Sequence, residues 1–117
     1  MKFKISKEDF LEGLQQVQHV VSNRTTLPIL SNVLLEADGD SLKLTTTDLD
    51  VGVSGSVKAA VSKSGSTTLP ARRLAGIVRE LPSDEVSVEV TAKDVASIKS
   101  GPSFFKILGL SKEEFPP

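Results

Sequence analysis

The hydrophobic positions of this chain follow the same sequence of periodicities twice. Near the start, Phe3 and Ile5 alternate with lysines, as in a strand with one exposed face, and a helical pattern begins at Ser6. Later, a strand-like end that includes Leu69 is followed by a second helical pattern that begins at Pro70. This order predicts one strand followed by one helix in each half of the chain.

The two predicted helices carry apolar residues at equivalent positions. Phe10, Leu14 and Val17 of the first helix correspond to Leu74, Val78 and Leu81 of the second, 64 residues later. Ser6 is a favourable N-cap, and Asp9 approximates a capping box. The apolar side of the first helix continues to Val21. Pro82 predicts that the second helix ends at Leu81.

Each helical pattern is followed by three short strand-like runs. The runs are Val33–Glu36, Leu42–Thr47 and Val51–Val57, then Val86–Val90, Val95–Lys99 and Phe104–Leu108. Residues Ala37–Asp40 predict a hairpin turn. The spacing between matching strands shortens to about 54 residues, which predicts an extra loop near Ser22–Ser31 in the first half. The chain is therefore predicted to be an α+β domain in which a β-α-β-β-β unit is used twice.

The amino-acid composition and net charge limit the kinds of partner and the cellular location that we expect. The chain has 117 residues, enough for one domain, and a net charge of −1, which argues against binding nucleic acid through bulk positive charge. It has no cysteine, which fits a reducing cytoplasm and removes thiolate metal sites. The N-terminus has no secretory pattern, and no apolar run is long enough to span a membrane. We expect a cytoplasmic protein with no membrane partner.

Few residues are candidates for catalysis. His19 is the only histidine, and it lies on the polar side of the first helix. Asp48 and Asp50 together resemble part of a Mg²⁺ site, although two carboxylates also commonly end a strand in solvent. Gly52 and Gly55 lack the spacing of a dinucleotide-binding loop. We expect a non-catalytic protein with no cofactor and no metal. A small Mg²⁺-dependent enzyme built around the two aspartates is a third interpretation, after the two that are given below.

The arginines of the second helix are better candidates for a function. Arg72 and Arg79 lie seven residues apart on one stripe opposite the apolar side, whereas Arg73 and Glu80 form a separate stripe. Two arginines on one exposed stripe can each bind a phosphate without reading base sequence. An ordinary solvated helix face gives the same pattern. Arg24, at the start of the extra loop, has the same two interpretations.

Several phrases of the sequence, taken in order, resemble the first domain of the bacterial sliding clamp, the β subunit of DNA polymerase III. Residues 24–35 are RTTLPILSNVLL, residues 46–50 are TTDLD, and residues 68–74 are TLPARRL. The opening MKF, the LQQV at 14–17, the SG at 100–101 and the FP at 115–116 are also similar to that family. The resemblance covers essentially the whole chain.

The resemblance implies the DNA-clamp fold, with two inner helices packed on two antiparallel sheets, and a role as a processivity factor in DNA replication. It implies a head-to-tail homodimeric ring that slides on double-stranded DNA and tethers the replicative polymerase, placed there by a clamp loader. The positions that match DNA-contacting residues are Arg24, Arg72 and Arg79. The positions that match the subunit interface are Arg73, Ile77, Leu81, Phe105 and Ile107.

Two departures from the family pattern matter. The family often has basic residues after the SG pair, where this chain has Pro102, Ser103 and Phe104. A clamp subunit has three domains, so we expect this chain, residues 1–117, to be the first domain alone, without the second and third. The alternative is a non-catalytic α+β interaction domain that self-associates through the edge strand 104–108 and does not bind DNA.

Overall fold

The computed structural model describes residues 1–21 and 28–116 of the chain. Its strands are β1 (Lys2–Ser6), β2 (Asn32–Asp38), β3 (Ser41–Thr47), β4 (Gly52–Lys58), β5 (Ala60–Lys63), β6 (Gly65–Pro70), β7 (Glu85–Val90), β8 (Val95–Ser100) and β9 (Ser103–Leu108). Its helices are α1 (Lys7–Gln18) and α2 (Ala71–Glu80), with short 3₁₀ helices at Pro28–Ser31 and Lys112–Glu114. Neither α-helix of this described part is long and apolar enough to cross a bilayer.

The two repeats exchange their first strands. One repeat is β1-α1-β2-β3-β4 and the other is β6-α2-β7-β8-β9, yet β1 pairs with β7 and β6 pairs with β2. The resulting sheets have the orders β5-β1-β7-β8-β9 and β4-β3-β2-β6, and the strand pairs are antiparallel. Without β5, the two orders become identical when each strand is replaced by its repeat equivalent. The predicted duplicated α+β fold with two antiparallel sheets is confirmed.

The helix starts follow the sequence signals. The Ser6 side chain accepts a hydrogen bond from the Asp9 backbone N–H at 3.0 Å, which is the predicted N-cap. Helix α2 ends at Glu80, with Leu81 as its C-cap. Helix α1 stops at Gln18, so Val21 is buried from the segment that follows the helix and not from the helix itself.

Aliphatic and aromatic side chains of both repeats form one core between the helices and the sheets. Helix α1 lies close to β3 and β4 at Gly13. A Cβ atom at Gly13 would be 2.9 Å from Leu44 Cδ1 and 3.3 Å from Val57 Cγ1. This close approach accounts for a glycine in the middle of a helix, where it is intrinsically unfavourable.

The turn between β2 and β3 is the predicted hairpin. Asp38 pairs with Ser41, which leaves Gly39 and Asp40 as the two turn residues. Gly39 has a φ of 58°, in the left-handed region that glycine adopts without steric cost. Strand β5 was not predicted, because its four residues include a single partly buried apolar side chain, Val61.

Some sheet edges are covered by a neighbouring segment of backbone, and others are open. The outer side of β1 is covered by β5, and the outer side of β6 is covered by Leu110, which exchanges backbone hydrogen bonds with Thr68 at 3.0 and 3.1 Å. Within residues 1–21 and 28–116, the short strand β5 has no partner on its outer side, and neither do β4 and β9. Strands β4 and β9 occupy equivalent places in the two repeats, so their open edges are equivalent.

Candidate nucleic-acid interface

The exposed side of α2 carries three arginines. Arg72, Arg73 and Arg79 are all exposed, while the opposite side of the helix is buried in the core. Arg72 and Arg79 are two helical turns apart, or roughly 10 Å along the axis, so they can meet separate phosphates. In the described part of the chain none of the three arginines forms an ion pair. Their charges are therefore not neutralised by neighbouring carboxylates.

A hydrogen bond fixes the position of Arg72. Its Nη2 donates to the backbone carbonyl oxygen of Val21 at 3.2 Å, which ties the start of α2 to the chain just after α1. At the other end of the helix pair, Lys7 Nζ donates to the carbonyl oxygen of Leu81 at 2.9 Å. Each helix thus supplies a cation from its first turn to a backbone carbonyl group that follows the other helix, at Leu81 after α2 and at Val21 three residues after α1. A guanidinium has five N–H donors, so this bond orients Arg72 and leaves it capacity to bind a phosphate.

The third predicted DNA contact, Arg24, lies outside the described residues. Its role stays a prediction from the sequence. Val21, which precedes that segment and accepts the bond from Arg72, is buried.

The residues predicted for a subunit interface fall into two groups. Arg73 is exposed, and Ile77 and Phe105 are half-buried against the core, so these three side chains offer surface to a second chain. Leu81 and Ile107 are only 2% and 3% exposed because they point into the core of their own domain. Because these two side chains are buried, they can affect a contact with a partner only by supporting the residues at the surface.

Asp48 and Asp50, the candidate metal ligands, form hydrogen bonds within the turn that follows β3. The carboxylate of Asp48 accepts hydrogen bonds from the backbone N–H groups of Val51 at 2.7 Å and Asp50 at 2.9 Å. These bonds, first that from Val51, hold the pKa of Asp48 below its ordinary value. In the residues that the structure describes, no group of three histidine, cysteine or acidic side chains is placed to hold a metal ion. His19 is exposed at the C-cap of α1.

The arrangement places unpaired cations on the helical side of the domain and open strand edges on its flanks. The sequence pattern separated Arg72 and Arg79 from Arg73 by helical position. It did not reveal the bonds from Arg72 and Lys7 to the opposite helix, because no local pattern indicates which carbonyl group lies near a helix terminus in the folded chain.

The sequence matches the family described as "DNA polymerase III beta subunit, N-terminal domain" over residues 1–117. It is 41% identical over 116 residues to the beta sliding clamp of Chlamydia muridarum, covering 99% of this chain and 32% of that protein. It is also 41% identical over 118 residues to the beta sliding clamp of Haemophilus influenzae, again covering 99% and 32%. The chain therefore spans about a third of the length of these curated relatives.

Solved structures give the same result. The fold superposes on the DNA polymerase sliding clamp from Caulobacter crescentus with a TM-score of 0.95 at 39% identity, covering 100% of this chain and 32% of that chain. The sliding clamp from Bacillus subtilis gives a TM-score of 0.95 at 33% identity, covering 100% and 33%.

Proposed function

Since the chain belongs to the family of DNA polymerase III beta subunit N-terminal domains, we propose that it serves as the first of three domains in a sliding clamp. In this function it is a non-catalytic part of a ring that encircles duplex DNA in the cytoplasm. The ring keeps a replicative polymerase on its template, and a clamp loader places it there. The observation that carries the proposal is the pair of unneutralised arginines, Arg72 and Arg79, on the exposed stripe of α2.

The chemistry of this helical face suits sliding. Arginine binds phosphate oxygens without selecting a base, so contacts from Arg72, Arg79 and Arg24 would be equivalent at each register along the duplex. A few such contacts give weak binding that falls with salt concentration. A ring is retained on DNA by its closure, so weak contacts are sufficient and allow it to move.

The open edges of β4 and β9 suit ring formation. They are equivalent by the internal repeat, and each can extend a sheet into a neighbouring domain through backbone hydrogen bonds. Contacts that use different surfaces on the two partners are head-to-tail and close into a ring when the rotation between domains permits. We assign β9, which carries Phe105, together with Arg73 and Ile77 of α2, to the contact between subunits in a homodimer.

We expect duplex DNA to bind the helical face weakly, with a dissociation constant no lower than roughly 10⁻⁴ M at physiological salt. An NMR titration with a short duplex at low salt should shift amide signals on α2 and after α1. Replacing Arg72 and Arg79 together with glutamine should abolish these shifts. Each single replacement should reduce the magnitude of the negative slope of log K against log salt concentration by about 0.9.

A matched control separates this effect from a general change in charge. Lys43 lies exposed on β3, on the sheet face away from the helices, and Lys43→Gln should leave duplex binding unchanged. Tight or base-sequence-dependent binding at physiological salt would contradict the sliding function. Self-association of the chain without any DNA-induced shift would instead support the interaction-domain alternative.

A further inference from the structure

The five-stranded sheet has a solvent face on which lysines are aligned by strand register. One row across the strands consists of Lys4 on β1, Ser87 on β7, Lys99 on β8 and Phe104 on β9. The next row consists of Lys2, Glu89, Ser97 and Lys106 on the same four strands. We refer to the four lysines and Phe104 as the outer lysine face. It lies on the side of the sheet opposite to the buried core residues.

The outer lysine face differs in charge from the chain as a whole. The sheet face carries four lysines and two glutamates, whereas the chain has a net charge of −1. Lys4 and Glu85 are 3.8 Å apart with both side chains largely exposed, a weak pair in solvent. In the described part of the chain, Lys2, Lys99 and Lys106 have no ion-pair partner. The surface is thus locally basic with most of its cations unpaired.

The first row can bind a carboxylate from both sides. Lys4 and Lys99 flank Ser87 on neighbouring strands, so their backbones are roughly 10 Å apart. Lysine side chains are long enough for two ammonium groups at that separation to reach one anion above the serine. The Ser87 hydroxyl adds a hydrogen-bond donor at the centre of the row. The second row is less suited to anions because Glu89 lies within it.

An exposed aromatic ring lies at the end of the first row. Phe104 is 58% exposed, and Leu108, four residues along β9 on the same sheet face, is 74% exposed. A groove of about 390 Å³ runs over this surface and is lined by Lys2, Lys4, Ser87, Val88, Glu89, Ser97, Lys99 and Phe104. The surface therefore offers cations and an apolar contact within one groove, an arrangement complementary to a ligand with negative charges and a large apolar group.

We propose that the outer lysine face docks an acidic peptide segment that carries at least one large apolar side chain. Its carboxylates bind Lys4 and Lys99, and its apolar side chain packs on Phe104. Nucleic acid is a poorer fit, because its affinity comes from neutralising many phosphates and this face has three unpaired cations interrupted by glutamates. The site is distinct from Arg72 and Arg79 on α2, so a peptide and DNA can bind the domain at the same time.

The test is an NMR titration of the whole chain with a short, end-blocked peptide of aspartates around a leucine-phenylalanine pair. The expected result is amide shifts at Lys4, Ser87, Lys99 and Phe104, saturating at millimolar peptide. Lys99→Ser and Phe104→Ser should each weaken binding about five- to tenfold, as expected for loss of one contact worth about 1 kcal/mol. Lys43→Ser, on the other sheet, should bind the peptide as tightly as the unmodified chain.

Three outcomes would overturn the proposal. The first is the absence of shifts on this face at millimolar peptide. The second is equal binding of a peptide in which asparagine replaces each aspartate, which would leave no role for the lysines. The third is binding of inorganic phosphate or single-stranded oligothymidylate as tight as that of the peptide, which would assign the groove to phosphate. None of these outcomes depends on whether duplex DNA binds α2, so failure here leaves the clamp function untouched.

Discussion

Replacing Phe10 with alanine is expected to lower the free energy of unfolding by about 3–5 kcal/mol. Phe10 has no exposed surface, and its ring packs edge-to-face on Phe3 of β1, with ring centroids 6.2 Å apart and planes at 75°. The truncation removes buried apolar surface and this ring contact, and it leaves a cavity between α1 and β1. Since a domain of this size is typically stable by about 5–15 kcal/mol, the loss is a large share of the total.

Urea denaturation followed by circular dichroism measures this effect through the shift of the midpoint at constant slope. Phe104→Ala is the matched control, because it removes the same atoms from an exposed side chain and should change stability by no more than about 0.5 kcal/mol. Equal losses for the two variants would show that Phe10 does not anchor α1 to the sheet.

The helices could be predicted from the sequence because their signals are local. A capping serine before α1, a proline directly before the first turn of α2 and another proline after its last turn mark the boundaries, and the apolar period marks the buried side. The exception is the end of α1. Val21 fits the apolar period, yet the helix stops at Gln18 and Val21 reaches the core from the following segment. Periodicity identifies burial, but it does not require that the helix continue.

The strand exchange between repeats could not be predicted in the same way. A period of two indicates that β1 is a half-buried strand, and Leu69 indicates the end of a strand before α2, but neither signal carries information about which sheet the strand joins. The same limit applies to β5. Its four residues show no strand pattern of their own, and it is a strand because it pairs with β1. Strand pairing is a property of the folded chain, in which the residues that meet are far apart in sequence.

For the candidate site, the sequence predicted the identity of the exposed arginines better than their environment. Helical spacing placed Arg72 and Arg79 on one stripe, and both are exposed. The family resemblance assigned Leu81 and Ile107 to an interface, but the pattern of a strand or helix cannot say whether an apolar residue faces its own core or a partner. In this fold both side chains are buried in the domain core, and their place at a subunit interface stays a prediction.

Replacing Gly109 with alanine is expected to destabilise the chain by about 2–3 kcal/mol. A Cβ atom at this position would collide with the carbonyl oxygen of Thr68 and lie 3.0 Å from that of Asp94. Neither oxygen can move easily. The Asp94 oxygen accepts a bond from the Gly109 N–H at 2.8 Å, and the Thr68 oxygen accepts one from the Leu110 N–H at 3.0 Å. The alanine side chain would force the 109–110 segment away from β6 and break these bonds.

Gly76→Ala is the control, and its effect should have the opposite sign. Gly76 lies inside α2, and a Cβ atom there would meet nothing within 4 Å. Alanine should therefore stabilise the helix by up to about 1 kcal/mol.

Hydrogen exchange adds a local measurement, because Gly109→Ala should raise the exchange rate at the Thr68 and Leu110 amides before it affects α2. Unchanged exchange at Thr68 together with unchanged stability would show that the close approach at Gly109 does not hold the segment in place.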